Sequence, residues 1–303
     1  MIELDIAEAQ TIGTRAEQQD ATAIVRIGDA GDAALLVLAD GLGGHANGAE
    51  AARLVVETFR ERAPGGGFQK PEDRRRALDE TIQEVNQRVL AASNPADGER
   101  SMGSTAVAAI VAEGRLRWIS VGDSHLYVWR RGRLAKLNAD HSQAGIMIRQ
   151  GYATDHPAVL NARSLLASAL TGSSIEEIDA PVDDLALARE DVVLLASDGL
   201  DGLSGIEIAR IIGETCASGA EAIANALIAA VIAHRLQRQD NATVVVARVL
   251  GSGAPAHSDD PLPDSVPTPA AVGDYSGAGH GWSLAVGAAV LLAILAGVIM
   301  TQI

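Results

Sequence analysis

Five consecutive apolar residues, Leu35 to Ala39, read as a buried strand that stops at Asp40, and glycines follow at 41, 43 and 44. The pattern recurs at Leu194-Leu195-Ala196-Ser197-Asp198-Gly199, and Val121-Gly122-Asp123-Ser124 supplies a third aspartate at a strand end. Around these runs the hydrophobic period changes. A polar loop, Gly13 to Asp20, precedes a short strand at Thr22–Ile27. Asn47 to Arg62 is helical in period, with Ala52, Val55, Val56 and Phe59 on one face. Pro64-Gly65-Gly66-Gly67 interrupts it, and Glu72 to Ala92 continues as a second helix with Leu78, Ile82, Val85 and Val89 in register and Pro71 at its entry. From residue 104 the period falls to that of strands: Ser104–Val111, Arg115–Val121, Leu126–Arg131 and Arg133–Leu137, joined by turns at Glu113-Gly114 and Arg131-Gly132. This predicts an antiparallel meander. Asp140 to Gly172 has no clear period and reads as a mobile flap. A strand at Val192–Ala196, helices over 205–213 and 218–236, and a strand at Thr243–Val249 complete a domain spanning 1–250.

Beyond it the pattern changes again. Gly251 to Gly281 is rich in Gly, Ala, Pro, Ser and Asp and reads as a flexible linker. Trp282 to Met300 carries no charge and, as a helix, would be about 28 Å long, close to a bilayer's hydrocarbon core. A transmembrane helix is therefore expected over 282–301. The N-terminus shows no basic region followed by an apolar run, so no secretory signal is expected. A single-pass, tail-anchored protein of the cell inner membrane, with its folded domain in the cytoplasm, is the resulting expectation. The nearest basic residue to the span is Arg248, so charge bias does little to set topology.

Composition narrows the partners. Aromatics make up only 3% of 303 residues, so the core must be built from Ala, Val, Leu and Ile. The net charge is −15, and no Lys or Arg follows residue 250. Such a surface argues against nucleic acid as partner. Cys216 is the lone cysteine and excludes an intrachain disulfide.

Five aspartates, Asp20, Asp40, Asp123, Asp198 and Asp240, sit at strand ends or loop starts. Each alone reads better as a turn or cap residue than as a ligand. Together they are the ligand type that hard cations such as Mg²⁺ and Mn²⁺ prefer, and two such ions about 3.5–4 Å apart can activate a bridging water and clamp a phosphoryl group. No covalent nucleophile is evident: the chain has no Cys-x5-Arg loop, no Gly-x-Ser-x-Gly elbow and no Gly-x4-Gly-Lys-Ser/Thr loop.

The order of motifs carries more information than any one of them. Gly13-x-Arg15-x-x-Gln18-Gln19-Asp20, Ala39-Asp40-Gly41-Leu42-Gly43-Gly44-His45, Met102-Gly103-Ser104-Thr105, Gly122-Asp123-Ser124, Asp140-His141-Ser142, Ser197-Asp198-Gly199 and Asp240-Asn241-Ala242-Thr243 follow one another along residues 8–250. This series resembles the metal-dependent protein phosphatases, the type 2C protein serine/threonine phosphatases, in their compact bacterial form. The resemblance implies an α+β fold, a four-layer α/β/β/α sandwich of two antiparallel sheets with a helix pair on each outer face. It implies that Asp40 bridges two Mn²⁺ or Mg²⁺ ions and that the Gly41 carbonyl binds the second. Asp198 and Asp240 would complete the first, Asp20 would orient metal-bound water, and Asp123 would hold a weaker third metal. Arg15 would bind the substrate phosphate. The implied reaction is hydrolysis of phosphoserine and phosphothreonine by a metal-bridged water in one in-line displacement. Phosphorylated Ser/Thr proteins, products of a bacterial Ser/Thr kinase, would be the partners.

Three positions depart from the family pattern. Leu42 stands where eukaryotic relatives carry a His thought to act as general acid, with His45 three residues on. His125 follows Gly-Asp-Ser where Arg is usual, and Gln18 replaces the commoner Asn. Competing readings are a pseudophosphatase that binds phosphoproteins without catalysis, a narrow phosphatase of a sigma-factor regulator, and a phosphatase with an aspartyl nucleophile. The complete aspartate set speaks against the first. The last would need an Asp-x-Asp pair, which Asp40-Gly41-Leu42 lacks.

Overall fold

A computed structural model of the chain describes residues 3–28, 32–43, 46–93, 102–251, 257 and 260–266. The strands are β1 (Leu4–Thr11), β2 (Asp20–Ile27), β3 (Ala33–Leu42), β4 (Gly103–Ser104), β5 (Ala106–Ala112), β6 (Arg115–Val121), β7 (His125–Arg130), β8 (Arg133–Lys136), β9 (Leu185–Ala186), β10 (Val192–Ala196) and β11 (Ala242–Val249). The helices are α1 (Ala46–Arg62), α2 (Pro71–Ala92), α3 (Gln143–Arg149), α4 (Pro157–Asn161), α5 (Gly205–Thr215) and α6 (Ala220–His234). One antiparallel sheet runs β1-β11-β10-β7-β8. The other runs β2-β3-β5-β6-β9, with β4 beside β3.

Three apolar cores separate four layers. Leu36, Leu38, Val107, Leu126, Leu195 and Val245 interdigitate between the sheets. Leu35 and Val37 pack with Val55, Phe59, Leu78 and Ile82 of α1 and α2. Leu194, Val244 and Val246 pack with Ile208, Ile212 and Leu227 of α5 and α6. Successive residues of β3 thus enter different cores, which is why its sequence is an unbroken apolar run rather than an alternating one. The α+β sandwich expected from the motifs is the fold observed.

Two segments differ from expectation. Residues 140–172 hold two short helices rather than an irregular flap. Ser142 Oγ accepts from Gly145 N–H (3.0 Å) to cap α3, His156 Nδ1 accepts from Ala158 N–H (3.1 Å) to cap α4, and Ala144, Ile148 and Val159 form their own small core. Within the expected linker, residues 260–266 are docked on the sandwich. Leu262 is buried in the inter-sheet core, Arg130 donates to the Asp260 carbonyl (3.0 Å), and Ser265 and Val266 hydrogen-bond the Lys136 backbone at the β8 edge (2.9 Å each). Leu262 offers enough apolar surface to hold a Pro- and Asp-rich segment that composition alone marks as coil. The expected span at 282–301 lies outside the described residues, and among the described residues no helix is long and apolar enough to cross a membrane.

Candidate metal centre

Both sheets contribute carboxylates to the site. In the second sheet Asp20 opens β2, Asp40 lies near the end of β3, and the two are direct partners in the β2–β3 register. Asp123 sits in the turn between β6 and β7. In the first sheet Asp198 follows β10 and starts a 3₁₀ turn, Asp198–Gly202, while Asp240 immediately precedes the loop into β11. Asp20 is buried and the other four are half-buried.

Short polar side chains fix these ends. Asp40 N–H donates to Thr105 Oγ1 (3.0 Å), and its carbonyl accepts from Thr105 N–H (2.9 Å) and Ser104 Oγ (3.0 Å). Thr105 Oγ1 in turn shares a hydrogen bond with Ser124 Oγ (2.8 Å), tying β3 to the Asp123 turn. Ser197 Oγ donates to Asp20 Oδ2 (2.8 Å) and accepts from Thr243 N–H (3.0 Å), joining the two sheets. Asn241 Oδ1 accepts from Gln19 N–H (2.8 Å), while its amide donates to the carbonyls of Ile12 (2.9 Å) and Glu17 (3.0 Å). The loop carrying Arg15 is thereby laced to the loop carrying Asp240.

Backbone crowding explains two glycines. A Cβ at Gly41 would stand 2.1 Å from the Gly48 carbonyl oxygen of α1, and one at Gly199 would stand 1.9 Å from the Asn241 carbonyl oxygen. Neither neighbour is a movable side chain, so only glycine fits.

The carboxylates influence one another electrostatically. Burial, then the charges of Asp198, Asp20, Asp123 and Asp240, hold the Asp40 carboxyl well above its usual range. Burial, then Asp123, Asp201, Asp240 and Asp20, does the same to Asp198. Burial raises Asp20 to about 6 against hydrogen bonds from Thr243 and Ser197 that lower it, and burial with Asp140 and Asp201 raises Asp123 to about 7. Asp20 Oδ1 and Asp198 Oδ1 are buried without a hydrogen-bond partner. Like-charged buried oxygens left unpaired are costly unless a cation joins them, and an all-oxygen set suits a hard divalent ion. Among the described residues no group of three or more such side chains is drawn together tightly enough to cage an ion as it stands. The residues fit Mn²⁺ or Mg²⁺ in donor chemistry.

Asp20, Asp123, Asp198 and Asp240 all act electrostatically on Asp40, and Gly41 follows Asp40 on β3. Arg15 also reaches the site, but its guanidinium pairs with Asp240, both at the half-exposed rim. His45 lies outside the described residues. The unusual His125 is buried and shares a hydrogen bond from Nε2 with Asp201 Oδ1 (2.8 Å). Burial works to raise the Asp201 carboxyl, but His125, with Lys136 and Arg163, holds it below its usual range. Sequence reasoning assigned no role to Ser197, Thr105, Asn241 or Asp201. The first three lie inside the quoted motifs, so the signal was there. For Asp201 there was none, because its partner is 76 positions away.

Comparison with known proteins places this geometry. The family model for protein phosphatase 2C matches residues 9–202. The serine/threonine protein phosphatase PstP of Mycobacterium tuberculosis is 34% identical over 226 residues, covering 72% of this chain and 41% of that protein. The serine/threonine phosphatase stp of Listeria monocytogenes is 32% identical over 174 residues, covering 56% of this chain and 67% of that one. The solved catalytic domain of PstP in complex with two manganese ions superposes with a TM-score of 0.66 at 27% identity, over 83% of this chain and all of that one. The chain spans about two fifths of the length of the mycobacterial relative.

Proposed function

We propose, from the premise that this chain belongs to the protein phosphatase 2C family, that it is a metal-dependent protein serine/threonine phosphatase. The observation that carries the reading is the set of five mutually repelling carboxylates, two with orphaned buried oxygens, gathered from the ends of both sheets. Asp40, Asp198, Asp240 and the Gly41 carbonyl would hold two Mn²⁺ or Mg²⁺ ions, and Asp123 a third. When bound, these ions supply an activated water and charge compensation for the phosphoryl group.

The rest of the task falls to the chain. Ser197, itself held by the Thr243 N–H, fixes one oxygen of Asp20, whose free oxygen can orient a water. Thr105 fixes the direction of the Asp40 backbone through both its N–H and its carbonyl. Arg15, 57% exposed, would exchange Asp240 for two oxygens of the substrate phosphoryl group, for which its planar fork is suited.

The substrates would be phosphoserine and phosphothreonine in proteins, the products of a Ser/Thr kinase. The uncharged run Trp282–Met300 supports a tether at the inner face of the membrane. Phosphate release from phosphothreonyl, phosphoseryl and phosphotyrosyl peptides in Mn²⁺ tests the assignment. Turnover of the first two is expected, and Arg15→Ala should lower kcat/KM by about tenfold or more. Turnover of phosphotyrosyl peptide alone would refute it.

A further inference from the structure

The turns that carry Asp123 and Asp198 leave the same end of one ladder. β7 and β10 pair antiparallel, and the last residues in register at that end are His125 and Ala196. Asp123 lies two residues before His125, and Asp198 two residues after Ala196. Of the charges that act on Asp198, that of Asp123 is the foremost, followed by that of Asp201. Like charges favour separation, and beyond His125 and Ala196 no ladder bond holds the two turns in place.

Each turn is anchored separately. Ser124 Oγ shares a hydrogen bond with Thr105 Oγ1 (2.8 Å), the Ser124 carbonyl accepts from Asn138 Nδ2 (2.8 Å), and the Gly122 carbonyl accepts from His141 N–H (3.2 Å). In the 3₁₀ turn the Gly199 carbonyl accepts from Gln239 Nε2 (3.0 Å). Ser197, at the head of that turn, gives its hydroxyl to Asp20 rather than to a cap. A side-chain hydrogen bond then crosses from one turn to the other: His125 Nε2–H donates to Asp201 Oδ1 (2.8 Å).

His125 is built into this contact. Leu126 points into the inter-sheet core, so His125 and Tyr127 face the α5 layer, with their rings 5.6 Å apart. The imidazole is 2% exposed, and its Nδ1 is buried without a hydrogen-bond partner. A side chain selected for packing alone would be apolar here, because an idle buried ring nitrogen is costly. The polar contact that justifies the imidazole is a carboxylate three residues from Asp198. In the family pattern this position holds Arg, so an N–H donor stands there in either case.

We propose that the His125–Asp201 bond is a clasp that sets the placement of Asp123 against Asp198, and thereby the affinity for the cation that Asp123 would hold. His125 and Asp201 are positioning residues that act through the two carboxylates. The inference rests on the metal-dependent reading given above. Loss of a hydrogen bond that orients ligands from behind typically weakens metal binding by about 10–100-fold.

Mn²⁺ binding to the full chain in non-ionic detergent, followed by the electron paramagnetic resonance of unbound Mn²⁺, tests the clasp without recourse to turnover. His125→Leu removes the donor at similar volume, and Asp201→Ala removes the acceptor. Each should weaken the weakest Mn²⁺ site by about tenfold or more. The double variant should lose no more than either single one, because the same bond is broken in all three. His125→Gln, whose amide nitrogen reaches the place of Nε2, and Asp201→Asn, which keeps the Oδ1 acceptor, should recover most of the lost affinity. Unchanged binding in His125→Leu, or additive losses in the double variant, overturns the proposal. So does Asp201→Asn weakening binding as much as Asp201→Ala, which would show an effect of charge alone. Should His125→Leu fail to fold, the two Asp201 variants decide, since that side chain is 40% exposed. Failure of the metal-dependent reading would show instead as no Mn²⁺ binding by the wild-type chain, and would take the clasp with it.

Discussion

Asp20 and Asp40 stand directly opposite each other across the β2–β3 ladder, two carboxylates in a position where like charges destabilise a sheet. Nothing in the packing of β2 on β3 requires acids there. Their pairing makes sense as a site kept at the expense of stability. Asp40→Asn should therefore stabilise the metal-free protein by about 1 kcal/mol, the scale of a cross-strand pair. Urea denaturation in EDTA measures this, and an equally large loss of stability would contradict it.

The same carboxylates set a pH dependence. Asp20 is raised to about 6 and Asp123 to about 7 from an ordinary value of 3.8, and Asp40 and Asp198 are also raised. The folded state then binds more protons than the unfolded one between these values. Their contribution is fully present below about 3.8 and is lost as pH rises through 6 and 7. The melting temperature of the metal-free protein should fall between pH 5 and 8 by this contribution, and the gain on adding Mn²⁺ should grow over the same interval. Comparison with Asp40→Asn, which should flatten the slope, isolates the cluster from the remaining titrating groups.

Glycine substitutions separate crowding from propensity. Gly41→Ala and Gly199→Ala force a Cβ to within about 2 Å of a carbonyl oxygen and should each cost on the order of 3 kcal/mol, with loss of activity. Gly213→Ala in α5 is the control: its Cβ would meet Trp129 at 3.5 Å, an ordinary contact, and helix propensity favours it by about 0.5–1 kcal/mol. Thermal unfolding of the three variants gives the comparison.

The docked segment also makes a prediction. Leu262 is buried in the inter-sheet core and the Asp260 carbonyl accepts from Arg130, which also forms a buried bidentate pair with Asp191 (2.8 and 2.6 Å) and donates to the Ala186 carbonyl (3.2 Å). A chain ending at 250 should thus be less stable than one ending at 266 by about 2 kcal/mol, the value of one buried leucine. Equal denaturation midpoints would show that the segment contributes nothing.

How far the sequence revealed these features depended on the range of the interaction. Leu35–Ala39 announced a doubly buried strand because both its faces are apolar. The motif order singles out Asp20, Asp40, Asp123, Asp198 and Asp240 as candidate ligands. β1 was illegible because it is an edge strand on which only Leu4 is fully buried, leaving Asp5, Glu8 and Gln10 to mask the alternation. α3 and α4 have seven and five residues, too few for a helical period. The docking of 260–266 and the His125–Asp201 contact join residues far apart in the chain, and no local pattern encodes such a pairing.

Action of the strand-end carboxylates through bound cations is open to direct measurement. The direct measurement is kcat on a phosphothreonyl peptide in Mn²⁺, in EDTA, and for Asp198→Asn in Mn²⁺. The expected result is no turnover in EDTA, recovery on adding Mn²⁺ or Mg²⁺, and a fall of at least about 10²-fold for Asp198→Asn. Full activity in EDTA, or a variant within about tenfold of wild type, would contradict it.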